Sequence, residues 1–489
     1  MTKCTPLSPL FTNSVTLTKA ALAIISSASL CILYTTASII YKPYRKVARP
    51  GKDIEIFALD TARNRRLLYD KLSSDLLSEP WGFKNCHFAS LLAQVRPSPS
   101  WFRWGSLVRR RIEHIPTPDG GSLEVEHFEP TDLPNPVPSN IPIVLIFHGV
   151  NGSSRDVYVE QGALHIAVER GWRAIALNYG HVRVLDENLL AGGNSFFDNG
   201  DLNFFISHIR KSHKGFLGCI GYSMGGAKLV QFLGRTGEYC NIDAACAISA
   251  PLDFTPRNVT VYNPTTLAHK FYHMGISLYL KLWMIRNYDV LKKHPKISRA
   301  KPFRRTKSGF MWWITHNRVT DVDNAIIIPG KGYTNRDQYY NDASSIDQLE
   351  NIKIPLLCIT AKNDPLVPVD IIPRESDVNN NENIFIINTE RIGGHIGFWL
   401  PGKGCWATKG CLAFFDSVNN NAKTSQDKPF RQHSIKAAKK LRLTSTTHLN
   451  NYMSLLGYNS SDSISNDGKS VSSCQYIWNK DRGYKIRSA

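Results

Sequence analysis

The chain has 489 residues, of which 42% are hydrophobic and 20% charged, so it can bury a large core and is not disordered as a whole. Its formal net charge is +19 at pH 7, but the excess Lys and Arg lies in residues 1–52, 281–307 and 421–489. The rest of the chain is slightly acidic, which excludes a basic nucleic-acid-binding face on the core, and no finger, RNA-binding or homeodomain pattern is present.

The first predicted element is an uncharged segment, residues 20–41, which follows a short N-terminal stretch, residues 1–19. As a helix it would be about 33 Å long, enough to cross the hydrocarbon core of a bilayer. We interpret it as a single-pass membrane anchor. A signal peptide cleaved near Thr35 and Ala37, or a buried helix, are the alternatives. More Lys and Arg follow the segment than precede it, so the positive-inside rule predicts a cytosolic catalytic domain, held on an endomembrane.

Residues 42–105 are predicted to form a linker with a helical segment, and residues 106–418 a single large domain. This domain begins with two extended runs on either side of the turn at 118–121, a pattern typical of a hairpin. Six apolar, β-rich runs follow, at 143–147, 173–178, 216–222, 244–249, 354–360 and 384–388. Helix-length stretches separate most of them, which favours a parallel sheet. We therefore predict an α/β fold with a mostly parallel eight-stranded sheet and helices on both faces.

Two later segments depart from this alternation of strands and helices. The insertion at about 251–345 is too long for a simple crossover between strands, so we predict a cap or lid. Its aromatic residues beside cations, over 267–313, favour a surface that contacts a membrane, and an ordinary buried cap is the alternative. Residues 419–489 are rich in Asn, Ser, Thr and Lys and are predicted to be a basic, disordered tail.

The clearest chemical motif is Gly221-Tyr222-Ser223-Met224-Gly225, which joins an apolar strand to a helical stretch. A Gly-x-Ser-x-Gly pattern arises often by chance, and the strand-turn-helix context is what makes this one informative. In that context it predicts a nucleophile elbow, a strained turn that exposes the serine hydroxyl above the sheet. The flanking glycines fit this interpretation because a side chain there would collide with the neighbouring strand and helix.

Two polar turns follow later strands. Asp364 comes directly after the run at 354–360, and His395 follows the run at 384–388. A neutral imidazole can take the proton of a serine hydroxyl, and a carboxylate holds that imidazole in the required tautomer. Taken singly, Asp364 could be a turn residue and His395 a surface histidine. Together, in the order Ser, Asp, His, they predict the catalytic triad of an α/β-hydrolase fold, with Ser223 as nucleophile.

The backbone amides of Val150 and Met224 are predicted to form the oxyanion hole. In this fold one donor comes from the loop after the strand at 143–147 and the other from the residue after the nucleophile. His148 is interpreted as a structural member of the same loop.

This chemistry requires no metal and no organic cofactor, and we predict neither. The ten cysteines form no Cys-x-x-Cys pair and no zinc-like spacing with histidines. Cys219, Cys246 and Cys358 lie in apolar runs, where a buried free thiol is favoured over a disulfide. Free thiols in turn favour a reducing compartment.

Five sequence blocks make the chain resemble a known family over roughly residues 100–415. The blocks are 148–152, 221–228, 338–345, 363–365 and 393–398. They resemble the membrane-anchored α/β-hydrolase-domain-containing proteins one to three, with plant embryogenesis-associated relatives and the yeast medium-chain ester synthases. The Tyr-Tyr-x-x-Ala-Ser-Ser and Gly-Gly-His-x-Gly-Phe blocks are more specific than the serine motif. Residues 180–185 depart from the family pattern.

The resemblance implies an N-terminal anchor and a serine hydrolase that cleaves carboxylic esters of lipids, such as monoacylglycerols, medium-chain esters or phospholipids. It also matches Ser223, Asp364 and His395 to the triad positions. The expected partners are a lipid ester substrate and membrane lipids, with no nucleic acid. An acyltransferase or ester synthase with the same triad is the nearest alternative, and a catalytically silent lipid-binding or receptor protein is another.

Overall fold

A computed structural model describes residues 54–59, 61–69, 85–95, 104–117, 122–150, 152–178, 200–255, 267–293, 295–304, 306–378, 381–400 and 404–424. The predicted anchor at 20–41, the divergent loop at 180–185 and most of the predicted tail lie outside these residues. Within them, no helix is both long and apolar enough to span a membrane.

The described residues form a nine-stranded sheet in the order β1-β9-β8-β7-β6-β4-β5-β3-β2. Its strands are β1 Ile54–Ala58, β2 Val108–Pro116, β3 Ser122–Pro130, β4 Ile143–Phe147, β5 Arg173–Asn178, β6 Leu217–Tyr222, β7 Ala244–Ile248, β8 Leu356–Ala361 and β9 Ile384–Thr389. The strands from β4 to β9 are parallel to one another, whereas β3 pairs antiparallel with β5 and β2, and β1 pairs antiparallel with β9. A short hairpin, β10 Trp399–Leu400 and β11 Gly404–Cys405, forms a separate sheet.

The predicted α/β-hydrolase sheet is confirmed, with one strand more than the eight predicted. The additional strand is β1, which pairs with β9 in the register Ile56 to Ile387. We predicted only a linker and helix there, and that prediction is wrong at residues 54–58. The run Ile-Glu-Ile-Phe-Ala is only five residues long, and its apolar and polar residues do not alternate regularly, so the sequence gives a weak strand signal. It forms a strand because it pairs with the edge strand β9.

The sheet is covered by helices on both faces, as its apolar strands require. The α-helices are α1 Ala62–Tyr69, α2 Cys86–Val95, α3 Val157–Arg170, α4 Gly200–Ser212, α5 Met224–Thr236, α6 Leu267–Arg286, α7 Tyr288–Leu291, α8 Lys307–Thr315, α9 Val319–Val322, α10 Ile328–Lys331, α11 Arg336–Ala343, α12 Glu375–Val378 and α13 Trp406–Thr424. One apolar cluster joins the strands to α3 and α13, and a second joins them to α4 and α5. Strands such as Ile143–Phe147 are fully buried because both faces of the sheet are covered.

Helices α6 to α11 lie between β7 and β8, within the predicted insertion, and have an apolar cluster of their own. Trp283, Trp312 and Trp313 are buried in this cluster. These three rings therefore cannot contact a membrane, because they pack inside the cap. Whether other parts of the cap surface contact a membrane stays a prediction. Lys281 is buried with them, and its amine donates to the Trp313 carbonyl at 2.9 Å and to Asn317 Oδ1 at 2.8 Å. Burial lowers the pKa of Lys281 to about 8.

Two further observations bear on the predicted domain organisation. Helix α13 continues to Thr424, beyond residue 418 where the tail was predicted to begin. Cys219, Cys246 and Cys358 are buried free thiols, as predicted.

Candidate active site

The turn between β6 and α5 has the strained geometry of a nucleophile elbow. Ser223 has φ 51° and ψ −119°, a conformation that costs energy for a residue with a side chain. A Cβ on Gly225 would lie 2.4 Å from the carbonyl oxygens of Phe147 and His148, and one on Gly221 would lie 2.6 Å from the Gly225 carbonyl. Only glycine fits at these two positions, and the close packing fixes the direction of the Ser223 side chain.

The three residues predicted as a triad lie together at the carboxyl edge of the sheet. His395 Nε2 is 2.9 Å from Ser223 Oγ, and His395 Nδ1 is 2.9 Å from Asp364 Oδ2. If Nδ1–H donates to the carboxylate, Nε2 is left as an acceptor for the serine hydroxyl. All three side chains are buried, so the charges in this chain of hydrogen bonds are poorly screened by water.

Asp364 has a second set of contacts in its own turn. Its Oδ1 accepts from the backbone amides of Leu366 at 2.8 Å and Val367 at 3.0 Å. The sequence left open whether Asp364 stabilises a turn or orients a histidine. It does both: Oδ1 accepts from the turn amides, and Oδ2 faces His395. The turn contacts therefore fix the orientation of the carboxylate towards the histidine.

The loop that carries His395 is held by side chains that the sequence analysis missed. Three consecutive amides each donate to a side-chain oxygen of a different element: Gly394 to Asn363 Oδ1 at 3.1 Å, His395 to Ser90 Oγ at 2.8 Å and Ile396 to Ser249 Oγ at 3.0 Å. Asn363 belongs to the block at 363–365 that supports the family resemblance, and this block is its signal in the sequence. Ser90 lies in the predicted linker, and nothing in the sequence connects it with the histidine.

The loop predicted to supply the oxyanion hole lies beside the nucleophile. A Cβ on Gly149 would be 3.5 Å from Ser223 Cβ, and the Gly149 amide donates to the Tyr158 hydroxyl at 2.9 Å. Met224 is the first residue of α5, so its amide has no partner within that helix. The roles of Val150 and Met224 remain predictions. His148 is buried, with Nδ1 2.7 Å from the Gly149 carbonyl oxygen, consistent with a structural member of the loop.

The cap covers this edge of the sheet with apolar side chains. The side chains of Val150 and Met224 pack against the apolar cluster of the cap, which includes Phe254, Leu280 and Met284. An apolar surface therefore lies directly beside the predicted oxyanion donors, and an acyl chain could be buried there.

Helix α6 also brings two histidines towards this edge. Burial lowers the pKa of His269, and the charge of Asp364 opposes this change, which indicates that α6 runs near the triad. Burial lowers the pKa of His273 to about 4, so its ring is neutral at pH 7.

The Tyr-Tyr-x-x-Ala-Ser-Ser block ties the cap to the nucleophile helix. The Asp342 carboxylate accepts from Arg235 of α5 at 2.8 Å, and its carbonyl accepts from Gln231 of the same helix. Ser344 Oγ accepts from the Phe254 amide at 2.7 Å. The block therefore joins the cap to the helix that begins at the elbow.

No cluster of three or more His, Cys, Asp or Glu side chains among the described residues is arranged to hold a metal ion.

No family model matches the chain, and its curated relatives are named as lipases and esterases. The monoacylglycerol lipase of Saccharomyces cerevisiae is 25% identical over 61% of this chain and 66% of its own length. Phospholipase ABHD3 of Mus musculus is 28% identical over 61% of this chain and 68% of its own. The medium-chain fatty acid ethyl ester synthase/esterase 2 of Saccharomyces cerevisiae is 23% identical over 56% of this chain and 62% of its own length.

These relatives confirm the resemblance predicted from the sequence blocks, because they are α/β-hydrolase-domain proteins of the expected kinds. They also support the predicted class of serine ester hydrolase. The chain spans about two thirds of the length of the first two, 66% and 68%. Among solved structures, the esterase Pf2001 of Pyrococcus furiosus is similar over 65% of this chain and 92% of its own, with 15% identity and a TM-score of 0.37.

Proposed function

We propose that the chain is a membrane-associated serine hydrolase that cleaves carboxylic esters of lipids. The observation that carries this proposal is the hydrogen-bonded series from Ser223 through His395 to Asp364, with 2.9 Å at each step, beneath an apolar cap. The lipase and esterase names of the relatives support the same class of reaction.

In the proposed mechanism Ser223 Oγ attacks the ester carbonyl while His395 Nε2 takes its proton. The carbonyl oxygen becomes an oxyanion, and the amides of Val150 and Met224 donate to it. Asp364 stabilises the imidazolium that forms, and this cation then protonates the departing alcohol. A water molecule, deprotonated by the same imidazole, releases the acid from the acyl-enzyme and restores Ser223.

The proposed substrates are monoacylglycerols, medium-chain esters or phospholipids. The apolar cap cluster next to Val150 and Met224 would bury an acyl chain, which stabilises binding by about 0.8 kcal/mol for each CH₂ group. The relatives are named for a monoacylglycerol, a phospholipid and a medium-chain ester, so a panel of these three classes is the direct test of substrate.

Acyl transfer to an alcohol is the second candidate reaction. An alcohol in place of water would resolve the same acyl-enzyme into a new ester, and one relative is named as a synthase as well as an esterase. Product analysis at increasing ethanol concentration separates the two reactions. Ester formation that exceeds acid release at moderate ethanol would favour the synthase, and release of acid alone would favour the hydrolase.

Labelling with a fluorophosphonate probe tests the proposed function most directly. The wild-type protein should be labelled at Ser223 and hydrolyse at least one of the three ester classes, and Ser223→Ala should do neither. A folded wild-type protein that is not labelled would support the silent lipid-binding alternative instead.

The proposed membrane association rests on the uncharged segment 20–41 and on the surface of the cap. Tyr279, Leu282, Met311 and Ile314 on α6 and α8 are large apolar side chains exposed to solvent. The exposed cations Lys301, Arg304 and Lys307 precede and begin α8. Each cation near an anionic lipid surface contributes about 1 kcal/mol of binding, and salt weakens the effect.

A variant that lacks residues 1–52 keeps every described residue, and its binding to vesicles can come only from the cap or from the basic residues 421–489. It should still bind anionic vesicles at low salt. Replacing Lys301, Arg304 and Lys307 with Glu should abolish this binding, whereas the control Lys353→Glu, at an exposed site outside the cap, should not. Loss of all vesicle binding on truncation would leave the anchor as the sole source of membrane association.

A further inference from the structure

We propose that Ser90, in the segment before the hydrolase domain, is a positioning residue for His395. The proposal rests on the proposed function, because it assigns Ser90 a role in placing the general base. It adds helix α2 to the parts of the chain that build the active site.

Ser90 makes two hydrogen bonds that link α2 to the histidine loop. Its hydroxyl donates to the Cys86 carbonyl at 2.6 Å, and its Oγ accepts from the His395 amide at 2.8 Å. The residue is only 6% exposed, so the amide has little access to water as a substitute partner. The hydroxyl is therefore oriented by its own helix and presents its lone pairs to the backbone of His395.

The glycines of the Gly-Gly-His-x-Gly block fit this contact with α2. A Cβ on Gly394 would lie 2.5 Å from the Cys86 carbonyl oxygen, and one on Gly397 would lie 2.4 Å from the Ala89 carbonyl. The two glycines flank His395 and allow the helix to approach its backbone. The glycines of this block thus allow α2 to pack against the loop that contains His395.

The contact matters because the His395 ring must satisfy two partners at once. Its nitrogens are each 2.9 Å from Ser223 Oγ and Asp364 Oδ2, so a shift of the backbone lengthens at least one of these bonds. Asn363 and Ser249 hold the amides on either side, but neither reaches the His395 amide itself. Loss of the Ser90 oxygen leaves this buried N–H unsatisfied, which favours movement of the loop.

Ser344 provides a matched control elsewhere in the chain. It is 7% exposed, its hydroxyl donates to the carbonyl four residues earlier at 3.0 Å, and its Oγ accepts from the Phe254 amide at 2.7 Å. Ser344→Ala therefore removes the same two kinds of bond as Ser90→Ala and should lower Tm by a similar amount. The two differ in that only Ser90 touches the histidine loop.

The test compares steady-state kinetics of Ser90→Ala, Ser90→Thr and Ser344→Ala in the full-length protein. We expect kcat of Ser90→Ala to fall by about 10- to 100-fold with KM little changed, because misplacement of a catalytic group affects the chemical step. Ser90→Thr, which keeps the oxygen, should recover most of kcat. Ser344→Ala should keep kcat for a soluble short-chain ester, which does not fill the apolar cap cluster that contains Phe254. Equal kcat losses in Ser90→Ala and Ser344→Ala would overturn the proposal, since a general loss of stability would then explain both.

Amide hydrogen exchange of the peptide covering 391–398 gives a readout that needs no turnover. Ser90→Ala should speed exchange there, and Ser344→Ala should not. Should Ser90→Ala fail to fold, Ser90→Cys keeps the size of the side chain with a weaker acceptor and should give the same pattern. Unchanged exchange in the folded variant would overturn the proposal. Faster exchange in a protein that the fluorophosphonate probe does not label would support the contact while rejecting the proposed function.

Discussion

The carboxyl edge of the sheet and the cap each bury one aspartate, and the two are held in different ways. Asp364 receives three N–H donors, from Leu366, Val367 and His395. Asp323 in the cap receives the Tyr340 hydroxyl, and its Oδ1 has no partner among the described residues. Burial raises the pKa of Asp323 to about 7, although the Tyr340 hydrogen bond acts in the opposite direction.

This difference shows how the surroundings decide what a buried carboxyl can do. A carboxylate that accepts from three N–H donors, two of them in its own turn, is held in place to stabilise an imidazolium. The Asp323 carboxyl, which has one donor and a pKa of about 7, exchanges a proton near neutral pH. The aspartate at the proposed catalytic edge is thus held by several donors, whereas the aspartate of the cap is held by one.

Replacement of the two aspartates with asparagine should give the largest contrast between the regions. Asp364→Asn changes the partner of His395 Nδ1 and should lower kcat/KM by about 10³-fold or more, since triad members act as a unit. Asp323→Asn keeps an oxygen for the Tyr340 hydroxyl and should leave kcat/KM near the wild-type value. Steady-state hydrolysis of a soluble short-chain ester measures both. A small loss for Asp364→Asn would mean that another carboxylate orients His395.

Gly397→Ala should have the next largest effect, because the added methyl group would clash where the histidine loop packs against helix α2. The new Cβ would lie 2.4 Å from the carbonyl carbon and oxygen of Ala89, so helix α2 or the histidine loop must move. Overpacking of this kind costs about 1–3 kcal/mol. We expect lower Tm together with lower kcat, measured by thermal unfolding and by the same ester assay. A lower Tm with unchanged kcat would show that the packing of α2 against the histidine loop contributes to stability but not to catalysis.

The pH dependence of stability should distinguish the cap from the sheet. The pKa of Asp323 is raised from 3.8 to about 7, so over this interval the folded chain keeps a proton that the unfolded chain releases. The free energy of unfolding therefore falls as pH rises from about 4 to about 7, by at most about 1.4 kcal/mol per pH unit from this group. The Asp323→Asn variant lacks this titration, so its Tm minus the Tm of wild type should become more positive as pH rises over that range. A difference that is constant with pH would show that Asp323 is ionised throughout.

The elements that the sequence predicted best are those fixed by local pattern. The buried strands and the elbow at Ser223 carry their signal in consecutive residues, apolar runs followed by glycines. The order of Asp364 and His395 followed from the strands before them. These features needed no knowledge of distant contacts.

Contacts made over long sequence distances escaped prediction. Strand β1 forms because it pairs with β9, more than 300 residues later. The contact of Ser90 with His395 is likewise between elements far apart in the chain, and the buried tryptophans of the cap looked interfacial because burial depends on the helices around them. A single sequence holds no local mark of such partners.

Gly275→Ala in helix α6 should give the smallest effect and the opposite sign from Gly397→Ala. A Cβ at Gly275 would have no heavy atom within 4 Å beyond its own helix, so alanine fits without a clash. Replacing glycine by alanine in a helix interior stabilises it by about 0.5–1 kcal/mol, because the unfolded chain loses conformational freedom. If the cap and the sheet unfold together, Tm should rise by about 1–4 °C with kcat unchanged. If instead hydrogen exchange slows only in peptides of 267–286 while Tm is constant, helix α6 opens independently of the sheet, because its stability then does not limit global unfolding.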